Sequence, residues 1–338
     1  MPPNDRELAA RVVQGEKLAV AAALNSVEDR RRDALPRIDA LLGELAALRG
    51  ADFGHRIGLT GPPGVGKSTL TAALAREYRT RGRTVGVLAV DPSSVRSGGA
   101  LLGDRARMAF DPEDAGIFVR SLATAGEPGG LAQAANAGVE VLAAAYDRVL
   151  VETTGVGQTE TDVEHVVDTV CLVIQPGSGD TLQFIKAGIM EIPDVIVVNK
   201  GDHGRLAQRA ASDLAGALDR LRHAGMADEG ESFKRPVLVT SARDRTGIDA
   251  LIDSLESHLA ALSGDALRAR RERGALAWAR ALFVRRYGEH GVQTLGGKDR
   301  LRDRLARAMA SGARPLGAAE IVGEEYLQLV RTGQSVSS

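Results

Sequence analysis

The sequence of 338 residues has a single cysteine and no long apolar run. Cys171 has no second cysteine to pair with, so an intrachain disulfide is excluded. No apolar stretch approaches the roughly 18 residues that a membrane-spanning helix needs. The segment Met1–Arg11 is polar and lacks the apolar centre of a signal peptide. We therefore expect a cytoplasmic protein that does not insert into membranes.

The net charge is also close to zero, because 43 basic and 44 acidic residues leave −1, with a pI near 6.6. A chain with this balance has no general positive field for collecting nucleic acid or anionic membranes, so a whole-surface polyanion binder is disfavoured and no nucleic-acid partner is expected. Apolar residues make up 44% and charged residues 26%, as in folded globular proteins. The length allows one large or two ordinary domains.

The hydrophobic pattern divides the chain into three parts. Residues 1–50 have apolar residues at helical spacing and are predicted to form an N-terminal arm of two helices, over Asp5–Leu48, broken near Asn25 and Ser26. Residues 51–263 alternate short β-branched runs with helical stretches, which is typical of an α/β fold with a doubly wound, mainly parallel sheet. The predicted strands are Arg56–Thr60, Thr84–Asp91, Arg148–Thr153, Thr169–Pro176, Asp194–Lys200 and Pro236–Ala242, with Gly116–Ser121 as a candidate edge strand.

Residues 264–338 have no strand pattern and carry 14 basic against eight acidic residues. They are predicted to form a basic helical unit that is either a solvated helical surface or an arm for docking or dimerisation. The predicted helices are Ala266–Gly288, Lys298–Ala310 and Gly317–Arg331.

A glycine-rich loop lies between the first predicted strand and an Ala- and Leu-rich helix that starts near Thr69. This is the Walker A pattern in the strand–loop–helix context that it requires. Backbone N–H groups and the helix N-terminus are expected to surround phosphate oxygens. We expect Lys67 to reach the β- and γ-phosphates, Ser68 to bind magnesium and Thr69 to contact the α-phosphate. The loop consists of Gly61, Pro62, Pro63, Gly64, Val65, Gly66, Lys67 and Ser68.

A second motif indicates which base is bound. The predicted strand that starts at Asp194 ends in Asn199, Lys200, Gly201 and Asp202. The carboxylate of Asp202 can accept two hydrogen bonds from guanine, one from N1–H and one from the 2-amino group. Adenine offers no such pair of donors. Lys200 is expected to lie over the base, and the backbone N–H groups of Ser241 and Ala242, at the end of the next strand, to contact guanine O6. Together these residues predict GTP and GDP as ligands.

Glu152, Thr153, Thr154 and Gly155 follow another buried strand. We expect Glu152 to serve the magnesium shell or the attacking water, and the Gly155 N–H to meet the γ-phosphate. Val156 stands where many signalling GTPases have a glutamine, and we therefore expect slow intrinsic hydrolysis that a partner accelerates.

Two further carboxylates are candidates for magnesium and hydrolysis. Asp91 follows a strand directly, so it is expected to face the γ-phosphate, and Asp104 is a second candidate on the loop that follows. Lys186 is either a partner for a carboxylate of these loops or a solvated lysine. Three loops rich in Gly and Ser are predicted to be ordered by the γ-phosphate: Asp91–Asp104, Gly155–Thr161 and Gly177–Phe184.

With these motifs in place, the chain resembles the MeaB/ArgK family, the methylmalonyl-CoA mutase-associated P-loop GTPases. The motifs that carry the resemblance are Gly61–Ser68, Val90–Ser94, Val151–Gln158, Gln175–Asp180 and Asn199–Asp202. The Glu-x-x-Gly element followed by Val-Gly-Gln, and the Gln-Pro-Gly-Ser-Gly-Asp loop, are specific to this family.

The resemblance implies a homodimeric GTPase chaperone of adenosylcobalamin-dependent methylmalonyl-CoA mutase. Such proteins use GTP and Mg²⁺ to gate delivery of the cofactor from an adenosyltransferase and to protect the mutase. They have N-terminal helices, a central GTPase domain and a C-terminal helical dimerisation arm, and this implies boundaries at 1–50, 51–263 and 264–338. In such relatives the carboxylates that match Asp91, Asp104 and Glu152 serve magnesium and hydrolysis.

Three alternatives stay open at this point. A nickel-insertion GTPase would need closely spaced Cys and His ligands, and one cysteine with six scattered histidines argues against it. A kinase of the lysine/arginine/ornithine transport system is an older description of this family, but no site for phosphorylating a protein is evident. A nucleotide-bound structural adaptor without turnover is the third, because binding motifs alone do not prove hydrolysis.

Overall fold

The strands predicted from the β-branched runs form one parallel sheet in the computed structural model of the protein. The structure describes residues 5–29, 31–50, 53–91, 113–123, 133–153, 163–177, 193–223, 233–262 and 264–332. The six predicted strands are confirmed to within three residues at either end, and the candidate edge strand is confirmed as an edge strand. The strands are β1 His55–Thr60, β2 Val85–Asp91, β3 Ile117–Ala123, β4 Arg148–Glu152, β5 Thr169–Ile174, β6 Val195–Val198 and β7 Val237–Val239.

The strand order is β3-β2-β4-β1-β5-β6-β7, so β1 lies between β4 and β5. The chain therefore moves outward from β1 in both directions, which places the ends of β1, β4, β5 and β6 beside one another at the carboxyl edge. Leu59 of β1 pairs with Glu152 of β4, and Thr60 pairs with Leu172 of β5. The predicted doubly wound α/β fold is confirmed, and its carboxyl edge is the edge on which the sequence motifs meet.

Helices cover both faces of the sheet. The central strands carry apolar side chains on both faces, and these side chains are buried against the helices. One face packs against α4 and α7, and the opposite face packs against α5 and the N-terminal helices. A smaller core lies between α6 and β5–β7. The helices are α1 Asp5–Val13, α2 Lys17–Val27, α3 Leu35–Arg49, α4 Lys67–Thr80, α5 Gln133–Ala145, α6 Arg205–His223, α7 Ile248–Ala261, α8 Gly264–Thr294, α9 Lys298–Ala310 and α10 Pro315–Thr332, with 3₁₀ turns at Arg32–Ala34, Val163–His165 and Gly201–His203.

The N-terminal region has three helices where two were predicted. The predicted break near Asn25 and Ser26 is confirmed, because α2 ends at Val27, but the earlier break between α1 and α2 was not predicted. Both residues lie inside α2, where Ser26 Oγ donates to Ala22 O at 3.0 Å and Asn25 Oδ1 accepts from Arg120 at 2.8 Å. The first break follows α1, at Gly15, which has a left-handed φ of 75°.

The C-terminal helices form a core of their own around Phe283, Leu305 and Val322. The predicted helix over Lys298–Ala310 is confirmed at both ends. The helix predicted over Ala266–Gly288 continues as α8 to Thr294, with a break in helical geometry at Gly288, where φ is 62° and ψ is −167°.

Partly buried ion pairs attach the start of α8 to the amino edge of the sheet, opposite the motifs. Arg271 donates two hydrogen bonds to Asp168, at 2.8 and 2.7 Å, and the Asp168 side chain is 1% exposed. Arg270 makes the corresponding contacts with Asp194, at 3.1 and 2.8 Å, and His258 Nε2 lies 3.3 Å from the same carboxylate. These two aspartates directly precede β5 and β6, so α8 is fixed to the starts of these strands.

Candidate functional site: a phosphate loop joined to a base-recognition edge

The phosphate loop lies between the end of β1 and the start of α4. Gly66, the residue before α4, has a left-handed φ of 96°, and a β-carbon there would lie 2.6 Å from Asn199 Nδ2. Glycine is therefore required both by the backbone conformation and by the close approach of Asn199. No side chain caps α4, so its first N–H groups face the loop. This is an anion-binding geometry, with the positive end of the helix dipole at the predicted phosphate position.

Lys67, the first residue of α4, has its ammonium group inside the loop. Its Nζ donates to the carbonyl oxygens of Gly61 at 2.7 Å and Pro62 at 2.9 Å, and the residue is 6% exposed. The structure thus places this cation inside the loop, and its contact with the β- and γ-phosphates stays a prediction. Thr69 lies exposed at the start of the same helix.

Glu152 ends β4 and meets the first turns of α4. Ser68 Oγ donates to its Oε1 at 2.5 Å, Thr71 Oγ1 lies 3.3 Å from its Oε2, and Glu152 is only 8% exposed. A hydroxyl and a carboxylate side by side are the hard oxygen ligands that Mg²⁺ prefers, so the residues present fit a magnesium site. Asp91 ends β2, but its side chain lies outside the described residues, as does all of Asp104.

Asn199, after β6, connects the base-recognition residues to the phosphate loop. It is 2% exposed, and its Nδ2 donates to Val65 O at 2.9 Å. Its Oδ1 accepts from the Ala242 N–H at 3.1 Å and from Thr240 Oγ1 at 3.3 Å. One buried amide therefore holds together the phosphate loop and the loop after β7.

Lys200 has a left-handed φ of 60°, which directs its side chain back across the edge of the sheet. Its Nζ donates to Gly64 O at 2.8 Å and to Gln175 Oε1. Gln175 directly follows β5, so this single lysine bridges the loops after β1 and β5.

Asp202 is exposed, and its carboxylate accepts from Ser241 Oγ at 3.1 Å. Hydrogen bonds from its own N–H and from the Ser241 hydroxyl lower the pKa of Asp202, which favours the ionised form that accepts from guanine. The Ser241 N–H is paired with Thr246 O at 3.0 Å and the Ala242 N–H with Asn199. The contact of these N–H groups with guanine O6 stays a prediction. It would require each N–H to be shared between O6 and its present acceptor in the protein.

Gly155 and Lys186 lie outside the described residues. The same is true of most of the three loops that are predicted to be ordered by the γ-phosphate.

Sequence reasoning assigned no role to Thr71 or Gln175, both of which contact predicted site residues. Thr71 lies one turn from Ser68 and Lys67 on α4, and this spacing was the available signal. Gln175 follows a buried strand directly, which places it on the same edge as the motifs.

Among the residues that the structure describes, no group of three or more His, Cys, Asp or Glu side chains is arranged to hold a metal ion. Within the same ranges, none of the helices combines the length and apolar character needed to traverse a bilayer.

The sequence is similar to those of several known proteins. A family model described as methylmalonyl-CoA mutase-associated GTPase MeaB matches residues 20–292. The GTPase ArgK of Escherichia coli is 37% identical over 276 residues, which are 80% of this chain and 81% of that protein. The mitochondrial methylmalonic aciduria type A homolog of Mus musculus is 34% identical over 292 residues, 82% of this chain and 69% of that protein.

A solved structure described as a LAO/AO transport system kinase superposes with a TM-score of 0.66 at 27% identity. The superposition covers 98% of this chain and 99% of the chain in that structure. The similarity therefore includes the N-terminal and C-terminal helices as well as the sheet.

Proposed function

The chain belongs to the family of methylmalonyl-CoA mutase-associated GTPases, and from this membership we propose that it hydrolyses GTP to assist an adenosylcobalamin-dependent methylmalonyl-CoA mutase. The observation that carries the proposal is the arrangement at the carboxyl edge of the sheet. Asn199 joins the phosphate loop to the base-recognition residues, with Lys67 and Glu152 on the phosphate side.

In the proposed reaction, water attacks the γ-phosphorus and the bond from that phosphorus to the β–γ bridging oxygen breaks, which yields GDP and phosphate. Lys67 and the N–H groups at the start of α4 stabilise the charge that develops on the phosphate oxygens. Asp202 selects guanine by accepting from the base. Magnesium, with Ser68 and Glu152 as ligands and Asp91 and Asp104 as further candidates, would supply positive charge to the β- and γ-phosphates.

Slow hydrolysis without a partner is part of the proposal. Glu152 already accepts a hydrogen bond from Ser68 and lies close to Thr71, so both of its oxygens have hydroxyl neighbours of the protein itself. Val156, after Gly155, has no group that could orient water. A residue or rearrangement brought by a partner would then complete the site.

The proposed partners are the mutase and its adenosyltransferase, in the cytoplasm, with a homodimer as the active form. Two features of the C-terminal region support the dimer proposal. Residues 264–338 are basic, with 14 Lys and Arg against eight Asp and Glu. Most buried side chains of α8–α10 also form a core of their own, although Trp278 and Leu316 join the core of the sheet. We propose domain boundaries at 1–50, 51–263 and 264–338, although α1–α3 share their core with the sheet.

The test is phosphate release from GTP with and without methylmalonyl-CoA mutase from the same organism. We expect turnover to rise several-fold with the mutase, and not with an unrelated cobalamin enzyme, because the proposal assigns a specific client. GTP turnover that ignores the mutase at saturating concentration would contradict the client assignment. Labelled γ-phosphate recovered on a protein instead of in solution would favour the transport-kinase alternative.

A further inference from the structure

The position of Thr71 relative to Glu152 carries an inference that the sequence motifs do not contain. Thr71 lies within α4, three residues after Ser68, and is fully buried. Its Oγ1 lies 3.3 Å from Glu152 Oε2, while Ser68 Oγ donates to Oε1 of the same carboxylate. The two hydroxyls therefore approach the two oxygens of one carboxylate from neighbouring positions on one helix face.

We propose that Thr71 is a positioning residue that holds the Glu152 carboxylate for divalent cation binding. The inference deepens the proposed function and rests on it. Glutamate has one more methylene than the aspartate that common GTPases use at this position, so its carboxylate can reach past Ser68 to the second turn of α4. The longer side chain also has more rotamer freedom, and a second contact restrains it.

The Thr71 hydroxyl has a choice of acceptor. Its single proton can be donated to Lys67 O at 3.0 Å, or to Glu152 Oε2 at 3.3 Å. Lys67 O already accepts the backbone N–H of Thr71 as part of α4, so it loses little when the hydroxyl turns away. A carboxylate attracts the donor more strongly than a neutral carbonyl does, and Glu152 is 8% exposed, so little water competes for it.

This geometry gives the two hydroxyls different roles. The Ser68 oxygen is a proposed cation ligand beside Glu152, whereas Thr71 contacts the Glu152 oxygen that Ser68 does not. Thr71 thus acts through Glu152 and is not itself a ligand. Removing its hydroxyl should weaken cation binding and leave the phosphate loop intact.

The test measures Mn²⁺ binding to the full-length protein loaded with GDP, from the electron paramagnetic resonance signal of free Mn²⁺. Thr71→Val removes the hydroxyl and keeps the branched shape. We expect it to weaken Mn²⁺ binding about tenfold, as one lost charge-assisted hydrogen bond would. The affinity for GDP without a divalent cation should stay within twofold. Thr71→Ser, which restores the hydroxyl, should bind Mn²⁺ as the wild type does.

Two further variants make the test decisive. Thr71→Ala also lacks the hydroxyl and favours the helix, so it replaces the valine variant if that protein has a lowered melting temperature. Thr80→Val is the matched control, because Thr80 Oγ1 makes the same kind of bond, to Arg76 O at 3.1 Å, at the exposed end of α4. It should leave Mn²⁺ binding unchanged.

The outcomes separate the two proposals. Folded Thr71→Val or Thr71→Ala protein that retains GDP and binds Mn²⁺ within twofold of the wild type would overturn the role of Thr71. A wild-type protein that binds neither GDP nor GTP would overturn the proposed function, and the inference that rests on it.

Discussion

Replacing Lys67 with alanine is expected to reduce GTP turnover by about two to three orders of magnitude, the usual cost of losing one donor aimed at developing charge. The Lys67 ammonium lies inside the phosphate loop, 2.7 Å from Gly61 O and 2.9 Å from Pro62 O. A cation in this position is surrounded by carbonyl dipoles of the loop and can exchange them for phosphate oxygens. The measurement is steady-state phosphate release at saturating GTP and magnesium.

The matched control for this variant is Lys298→Ala. Lys298 is also the first residue of a helix that follows a glycine N-cap, at the start of α9, but it is exposed and belongs to the C-terminal helices. Its replacement should change turnover less than twofold. Equal losses in the two variants would show that the effect of Lys67 is not specific to the phosphate loop.

Replacing Arg271 with alanine is expected to lower the free energy of unfolding by about 3–5 kcal/mol, because it leaves the Asp168 carboxylate buried without its partner. The Asp168 side chain is 1% exposed and accepts two hydrogen bonds from Arg271. It also accepts one from the Arg56 N–H at 3.0 Å. Chemical denaturation monitored by circular dichroism measures the loss.

The control lies on the same helix. Arg268 is 71% exposed and lies 3.6 Å from Asp265, which is 97% exposed. Surface pairs of this kind contribute about 0–1 kcal/mol, so Arg268→Ala should be nearly neutral. A loss below about 1 kcal/mol in the Arg271 variant would contradict the assignment of this pair as the attachment of α8 to the sheet.

The Asp168–Arg271 pair also predicts how the free energy of unfolding depends on pH. Burial alone would raise the pKa of Asp168, but the hydrogen bonds and charge of Arg271, with Arg56, hold it below its ordinary value. The stability contributed by this carboxylate is therefore present above the ordinary carboxyl pKa. This contribution to stability is lost as the pH falls through the lowered pKa that Asp168 has in the folded state.

Much of the sheet and its carboxyl edge could be predicted, because the signals are local. Strands with both faces buried are rich in apolar residues, and each motif starts at or directly after the end of such a strand. The Walker loop, Glu152 and Asn199 thus lie together in space although they are far apart in sequence. Topology alone accounts for this convergence, since every strand runs in the same direction.

Contacts between distant segments could not be predicted. Arg120 binds the amide of Asn25, in the last turn of α2, from a strand that is 95 residues away. Arg271 and Asp168 are separated by 103 residues, and no local pattern joins them. The Ser241 and Ala242 N–H groups resembled free donors, whereas their partners, Thr246 and Asn199, become visible only in the folded structure.

The most direct test of the central claim compares phosphate release from GTP and from ATP by the same purified protein, with Lys67→Ala as the blank. The claim is that one site at the carboxyl edge binds a guanine nucleotide through Asp202 and hydrolyses it. We predict slow turnover of GTP, negligible turnover of ATP, and loss of the GTP signal in the blank. ATP hydrolysis with a kcat/KM equal to that for GTP would contradict the role of Asp202 and the function proposed for this site.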